Sequence, residues 1–143
     1  EEFPLTQDQV QMNGWAVETR VYAEDPVRGF LPSTGRLVRY RPPEASETIR
    51  IDTGVGEGDE VSLFYDPMIA KLISYGATRE QAIRRMQIAL SEMVVEGIST
   101  NIPLHRELMV DARFFEGGTN IHYLEHKLSE RPTAPEADKS LKK

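Results

Sequence analysis

Glu18, Arg20 and Tyr22 stand two residues apart in a stretch that alternates apolar and polar side chains, and Asp66 follows Tyr65 later in the chain. With a period of two, a strand sets a carboxylate, a guanidinium and a phenol side by side on one face. A guanidinium stays protonated at any working pH and offers a planar fork of donors. Arg20 therefore suits carboxylates, phosphates, bicarbonate and developing enolates. The partner this implies is bicarbonate-like or ureido-like. The same alternation also describes the solvated outer face of an antiparallel sheet, and spacing alone leaves that reading open.

Other chemistries are harder to build from these residues. His105, His122 and His126 are the three histidines, and the last two have the i, i+4 spacing that can bring two imidazoles together on a helix. No glutamate completes an H-E-x-x-H pattern, so surface histidines are expected and no metal site is assigned. The chain has no cysteine, which removes disulfides, thiolate nucleophiles and cysteine-ligated metals. It has no G-x-S-x-G elbow, no G-x-x-x-x-G-K-[ST] loop and no G-x-G-x-x-G opening a helix. It is not expected to cradle a nucleoside triphosphate unaided. The glycines of residues 54–58 run G-x-G-x-G beside Glu57, Asp59 and Glu60, which reads as an acidic hairpin turn that repels anions.

The elements that must position these side chains follow from local pattern. Residues 15–22 read as a strand with Trp15, Val17, Thr19 and Val21 on one face and Ala16, Glu18, Arg20 and Tyr22 on the other. Residues 24–35 are dense in turn formers and read as a loop. Short β segments are expected at 36–41 and 48–53, with alternation resuming over 61–65. Asp66 and Pro67 read as a turn leading into a buried strand at 68–75. Thr78 with Gln81 three residues on predicts a reciprocal cap at the start of a helix. Ile83, Met86, Leu90, Met93 and Val94 form its apolar stripe, ending before Gly97. Two further helices are expected at about 103–110 and 120–128, with a turn at 111–115. Strands first and helices later is the order of an α+β fold, helices covering one face of an antiparallel sheet.

The chain has 143 residues, and 23 acidic against 17 basic side chains give a formal charge of -6, which disfavours a nucleic-acid surface spread over the molecule. No apolar run approaches the ~20 residues of a membrane span, and no signal-peptide pattern opens the sequence, so no membrane partner is expected. A bacterial cytoplasm or a mitochondrial matrix fits this pattern.

Five motifs in order, GWAVETRVYAEDP, FLPSTGRL, YDPMIAKLISYG, EGISTNIPLHRELM and GGTNIHYLEHKL, closely resemble the C-terminal domain of biotin carboxylase. The likeness covers residues 14–128. GWAVE-RVYAEDP and GRLVRYRPP look most like α subunits of propionyl-CoA carboxylases, and GGTNIHYLEHKL more like the free-standing biotin carboxylase of bacterial acetyl-CoA carboxylase. The acyl-CoA is left open.

The resemblance implies a ligase that carboxylates biotin at the expense of ATP. In that family ATP and bicarbonate form carboxyphosphate, which yields carbon dioxide that is attacked by the ureido nitrogen of biotin. The arginine of the family's R-x-x-A-E-D motif lies at the biotin and bicarbonate site, and it matches Arg20. Its implied role is to stabilise the enolate form of the ureido group. Glu18 would support it, Asp66 matches a supporting aspartate near the subunit interface, and Arg50 matches a dimer-interface arginine. Ile121 and His122 would line the adenine side of ATP. Thr19 stands where bacterial acetyl-CoA carboxylase subunits usually have cysteine. On an alternating strand it faces away from Arg20, so no effect on chemistry is expected.

The family's glycine-rich lid, ATP-binding lysine and magnesium-ligating glutamates belong to an ATP-grasp domain with no counterpart in these residues. Residues 1–13 are thus expected to be the connecting segment from an ATP-grasp domain, 14–128 the biotin carboxylase C-terminal domain, and 129–143 a flexible tail or linker. ATP, magnesium and carrier-borne biotin are the implied cofactors. The implied partners are the ATP-grasp and N-terminal domains, a biotin carboxyl carrier domain, a carboxyltransferase subunit and a second copy in a homodimer. The fragment alone is expected to be inactive. The alternative is a structural and dimerisation module of a pyruvate, methylcrotonyl or urea type carboxylase. Arg20 is expected near Asp66 and residues 120–122.

Overall fold

The computed structural model describes residues 3–131; residues 132–143, most of the segment expected as a tail, lie outside the described residues, as do residues 1 and 2. A short 3-10 turn at Gln7–Gln9 precedes the first strand, β1 (Trp15–Tyr22). There follow β2 (Glu24–Asp25), β3 (Leu31–Pro32), β4 (Gly35–Arg36), β5 (Arg39–Arg41), β6 (Ile49–Thr53), β7 (Glu60–Val61) and β8 (Met68–Gly76). The second half carries α1 (Arg79–Glu92), β9 (Val94–Glu96), α2 (Ile102–Val110), α3 (Ala112–Glu116) and α4 (Tyr123–Ser129). The architecture is α+β with antiparallel pairing throughout.

The central sheet has the order β1-β8-β6. Its register sorts the side chains by face, because directly opposed residues point the same way. Thr19, Leu72 and Ile51 form one row of the inner face, and Val21, Ala70 and Thr53 the next. Val21, Ala70 and Leu72 are buried there with Ile83, Met86, Ala89 and Leu90 of α1. Long β-branched and aliphatic side chains of a sheet face thus meet the apolar stripe of one helix. Thr19 is buried with its hydroxyl 3.4 Å from the Met86 sulfur, on the face opposite Arg20 as its strand position requires.

Four local expectations need correction. Residues 24–35 are a loop only in part, since β2 and β3 pair across a 3-10 turn at Pro26–Arg28. The 61–65 segment is strand only at Val61; Leu63, Phe64 and Tyr65 are exposed in a turn because no partner strand among the described residues accompanies them beyond the short pairing of β7 with β4. The Thr78 hydroxyl accepts the Gln81 N–H (3.2 Å), but the Gln81 side chain accepts from Ala77, one residue before the expected partner. The Ala77 N–H has just left the β8 ladder and needs an acceptor. The α1 stripe stops earlier than expected: Met93 is already extended, and Val94 joins β9, which pairs with β5. Two adjacent valines favour a pleated ladder once a partner is offered.

Candidate functional site

The outer face of the central sheet gathers most of the candidate residues. Glu18, Ile73 and Arg50 form one row across the three strands, and Arg20, Lys71 and Asp52 form the next. Two ion pairs run along the strands within this grid. Arg20 donates through Nε to Glu18 (2.9 Å), and Arg50 holds Asp52 with two hydrogen bonds of 3.0 and 3.1 Å. Lys71 lies between Arg20 and Asp52. The Glu18 carboxylate first, and then Tyr22, raise the Arg20 guanidinium above its ordinary pKa; Asp52 does the same for Arg50. Both pairs are exposed, so they orient the guanidinium forks and add little to stability. The arrangement is a fixed planar cation held on a strand, open on its outer side, which is what recognition of a flat anion or a growing oxyanion needs.

Asp66 lies at the same end of the sheet. Tyr22 opposes Met68, the Ala23 N–H donates to the Pro67 carbonyl (2.8 Å), and the Asp66 carboxylate accepts the Met68 N–H (2.8 Å). The aspartate thus folds its own turn and starts β8 beside the strand that carries Arg20. Tyr65 next to it is exposed.

Asn101, the residue before α2, and His105 within it, neither singled out by the strand pattern, hold the main chain under Arg20. Asn101 donates through Nδ2 to the Arg20 carbonyl (3.1 Å), accepts the Tyr22 N–H at Oδ1 (2.9 Å) and gives its own N–H to the Tyr22 carbonyl (3.2 Å). His105 places Nε2 2.8 Å from the same Arg20 carbonyl. A carbonyl only accepts, so that nitrogen carries the proton. Burial lowers the His105 pKa, outweighing the raising effect of this bond, and the ring is neutral at neutral pH. The signal lay in the EGISTNIPLHRELM motif, but nothing local says which strand it touches.

Residues 120–122 form a separate patch. Asn120 accepts the His122 N–H (2.9 Å), His122 faces Glu125 (3.2 Å), and Ile121 is 88% exposed. Among the described residues no hydrogen bond or ion pair joins the side chains of Arg20 or Asp66 to this patch; α2 packs against β1, and α3 follows it in the chain. His126 lines a cavity of about 460 Å³ with Arg113, Asn120 and Tyr123, whereas His122 does not line it. No group of three or more metal-ligating side chains occurs among the described residues.

What fixes this second patch is the docking of α4. Lys127 of α4 reaches Asp111 (2.5 Å) and Glu107 (3.4 Å), and Asp111 also caps α3 through the Arg113 and Phe114 amides. Lys127 first, with the capped amides and Tyr123, holds the Asp111 carboxyl well below the usual carboxylate range despite its partial burial. A carboxyl depressed in the folded state adds stability above its unfolded pKa of about 4 and loses it as the pH falls toward the folded value. Asp111→Asn should therefore flatten the acid side of the profile of thermal midpoint against pH below about pH 4, while lowering the plateau at pH 7. An unchanged acid slope would show that Asp111 is not the group responsible.

Comparison with known proteins adds the lineage. The family described as "Biotin carboxylase C-terminal domain" matches residues 18–126. The mitochondrial propionyl-CoA carboxylase alpha chain of Caenorhabditis elegans is 52% identical over 122 residues, 85% of this chain and 17% of that protein. The mitochondrial methylcrotonoyl-CoA carboxylase subunit alpha of Oryza sativa subsp. japonica is 46% identical over 122 residues, again 85% and 17%. This chain therefore spans about a sixth of the length of these relatives. Among solved structures, the biotin carboxylase domain dimer of Hydrogenobacter thermophilus 2-oxoglutarate carboxylase, in complex with magnesium ADP, ADP and bicarbonate, superposes with a TM-score of 0.86 at 35% identity. That match covers 93% of this chain and 30% of the other. No helix among the described residues is long and apolar enough to cross a membrane. With the matched span running from Glu18 at the start of the charged grid to His126 in α4, the chain belongs to the biotin carboxylase C-terminal domain family.

Proposed function

We propose that residues 14–128 form the C-terminal lobe of a biotin carboxylase and complete a composite active site with an ATP-grasp domain. The supporting observation is the guanidinium of Arg20, tied by Glu18 on an open sheet face and rooted in a main chain that α2 holds. ATP, when bound, would supply the phosphoryl group that activates bicarbonate, leaving ADP. The fork of Arg20 receives the ureido oxygen of biotin and opposes the negative charge that grows there as the ring nitrogen becomes nucleophilic. Glu18 keeps the fork from swinging away, and Asp66 shapes the turn beside it. Ile121 offers an exposed apolar surface suited to the adenine ring, with His122 beside it. Two separate patches suit a site that must touch both a nucleotide base and a carboxyl acceptor.

Magnesium falls to the ATP-grasp domain in this reading, and biotin arrives on a carrier domain before passing to a carboxyltransferase. The Arg50 and Asp52 pair on β6 is exposed at the sheet edge and suits contact with a second copy. Propionyl-CoA is the acceptor named by several of the similar relatives, among them mitochondrial and bacterial carboxylases, so it is the acceptor favoured here, in a mitochondrial matrix or bacterial cytoplasm.

The test is reconstitution. A biotin carboxylase stripped of its own C-terminal domain and fused to this chain should recover biotin-dependent ATP cleavage, and the chain alone should give no calorimetric signal with micromolar ATP. A fusion that folds but stays inactive, or micromolar ATP affinity in the isolated chain, would overturn the proposal.

A further inference from the structure

β1 lies at the edge of the central sheet, and its pairing with β8 shifts register between Val21 and Tyr22. The regular ladder thus ends one residue beyond Arg20, and Tyr22 is held less regularly than the residues before it. Asn101 occupies the N-cap position of α2, where an asparagine ordinarily turns its oxygen onto its own helix. Its side chain makes no capping bond. Both ends of the carboxamide go to β1 instead, one to the Arg20 carbonyl and one to the Tyr22 N–H, and the Asn101 backbone N–H adds the Tyr22 carbonyl. One residue thus gives Arg20 and Tyr22 the hydrogen bonds that a neighbouring strand would give. Asn101 is 7% exposed, so water cannot readily substitute for it. His105, one turn further along α2, adds a second donor to the Arg20 carbonyl.

We propose that Asn101, assisted by His105, is a positioning residue for Arg20, fixing the main chain from which the guanidinium departs. The inference rests on the role of Arg20 proposed above. Glu18 holds the fork from two residues away on the same strand, so the carboxylate that orients the fork departs from the same main chain. A strand end released from α2 carries the fork away from its target, and displacements near 1 Å at a reacting group are known to cost about a hundredfold in rate.

The experiment uses a complete biotin carboxylase with this chain as its C-terminal domain. The kcat for carboxylation of free biotin and the KM for ATP are measured for Asn101→Ala, Arg20→Ala and the double variant. Asn101→Ala should lower kcat about tenfold to a hundredfold and leave the KM for ATP within about twofold. In the Arg20→Ala background the same change should add nothing, because a residue that acts through Arg20 has nothing left to position. An equal loss in both backgrounds, or no loss in either, overturns the inference. If Asn101→Ala does not fold, His105 decides: glutamine keeps an N–H donor in reach of the Arg20 carbonyl and should rescue most of the rate that His105→Ala loses. Equal rates for the two His105 variants would overturn the inference. Unimpaired carboxylation by Arg20→Ala is a different result, which removes the role of Arg20 itself and takes the inference with it.

Discussion

Arg20→Ala, made in the complete enzyme, should lower the rate of biotin carboxylation by about a hundredfold or more, with ATP binding nearly intact. The magnitude follows from what a single preorganised donor contributes where charge develops, roughly 10² to 10³ in kcat. Arg20→Lys keeps the charge but presents a point in place of a fork and cannot span two acceptor positions, so it should fall between alanine and the native enzyme. Because the Glu18 and Arg20 pair is exposed, neither variant should move the thermal midpoint appreciably. Steady-state kinetics with free biotin, beside calorimetry with ATP, separates the two effects. An alanine variant with native carboxylation would remove Arg20 from the chemistry.

The largest effect on stability is expected at Gly97. Its φ is +104, and a Cβ built there lies 2.1 Å from the Arg36 carbonyl oxygen and 3.0 Å from the Val38 nitrogen. Both contacts are backbone, so no side chain can swing aside. Relief requires β9 to part from the segment joining β4 to β5, which breaks the bond from the Val38 N–H to the Glu96 carbonyl (2.8 Å). Gly97→Ala should cost about 2–4 kcal/mol, a sum of left-handed strain and displaced backbone. Gly29 is the control, since its φ is +67 but nothing lies within 4 Å of a built Cβ. Alanine there meets backbone strain alone and should cost about 1 kcal/mol. Chemical denaturation of the chain carrying each substitution measures both, and similar losses at the two sites would show that the close approach at Gly97 is easily relaxed.

The alternation of residues 15–22 contained the two faces of β1 outright, because a strand with one buried side leaves no freedom in which side chains point outward. Placing Arg50 on the same face as Arg20 needed more. The β6 pattern is short, and only its register with Ile73 and Lys71 shows that Arg50 and Asp52 join the grid. Asn101 was not singled out by the sequence pattern, although an asparagine at a helix start ordinarily turns its oxygen onto its own helix. That it turns to β1 instead depends on a contact between residues about 80 positions apart. The segment after Val61 misled for a related reason. Leu63, Phe64 and Tyr65 have strand-forming side chains, but a strand also needs a partner ladder, and none pairs with them among the described residues.

Asn101 also bears on how the molecule avoids its own kind. A strand with one unpaired flank is a template on which a strand from another chain can grow, and such growth propagates residue by residue along the flank. Here the last stretch of that template is already occupied by a side chain, so an invading strand could advance along β1 from Trp15 but would have to expel the carboxamide to pass Arg20. The carboxamide that holds the Arg20 and Tyr22 main chain thus closes that end of the β1 flank to an added strand.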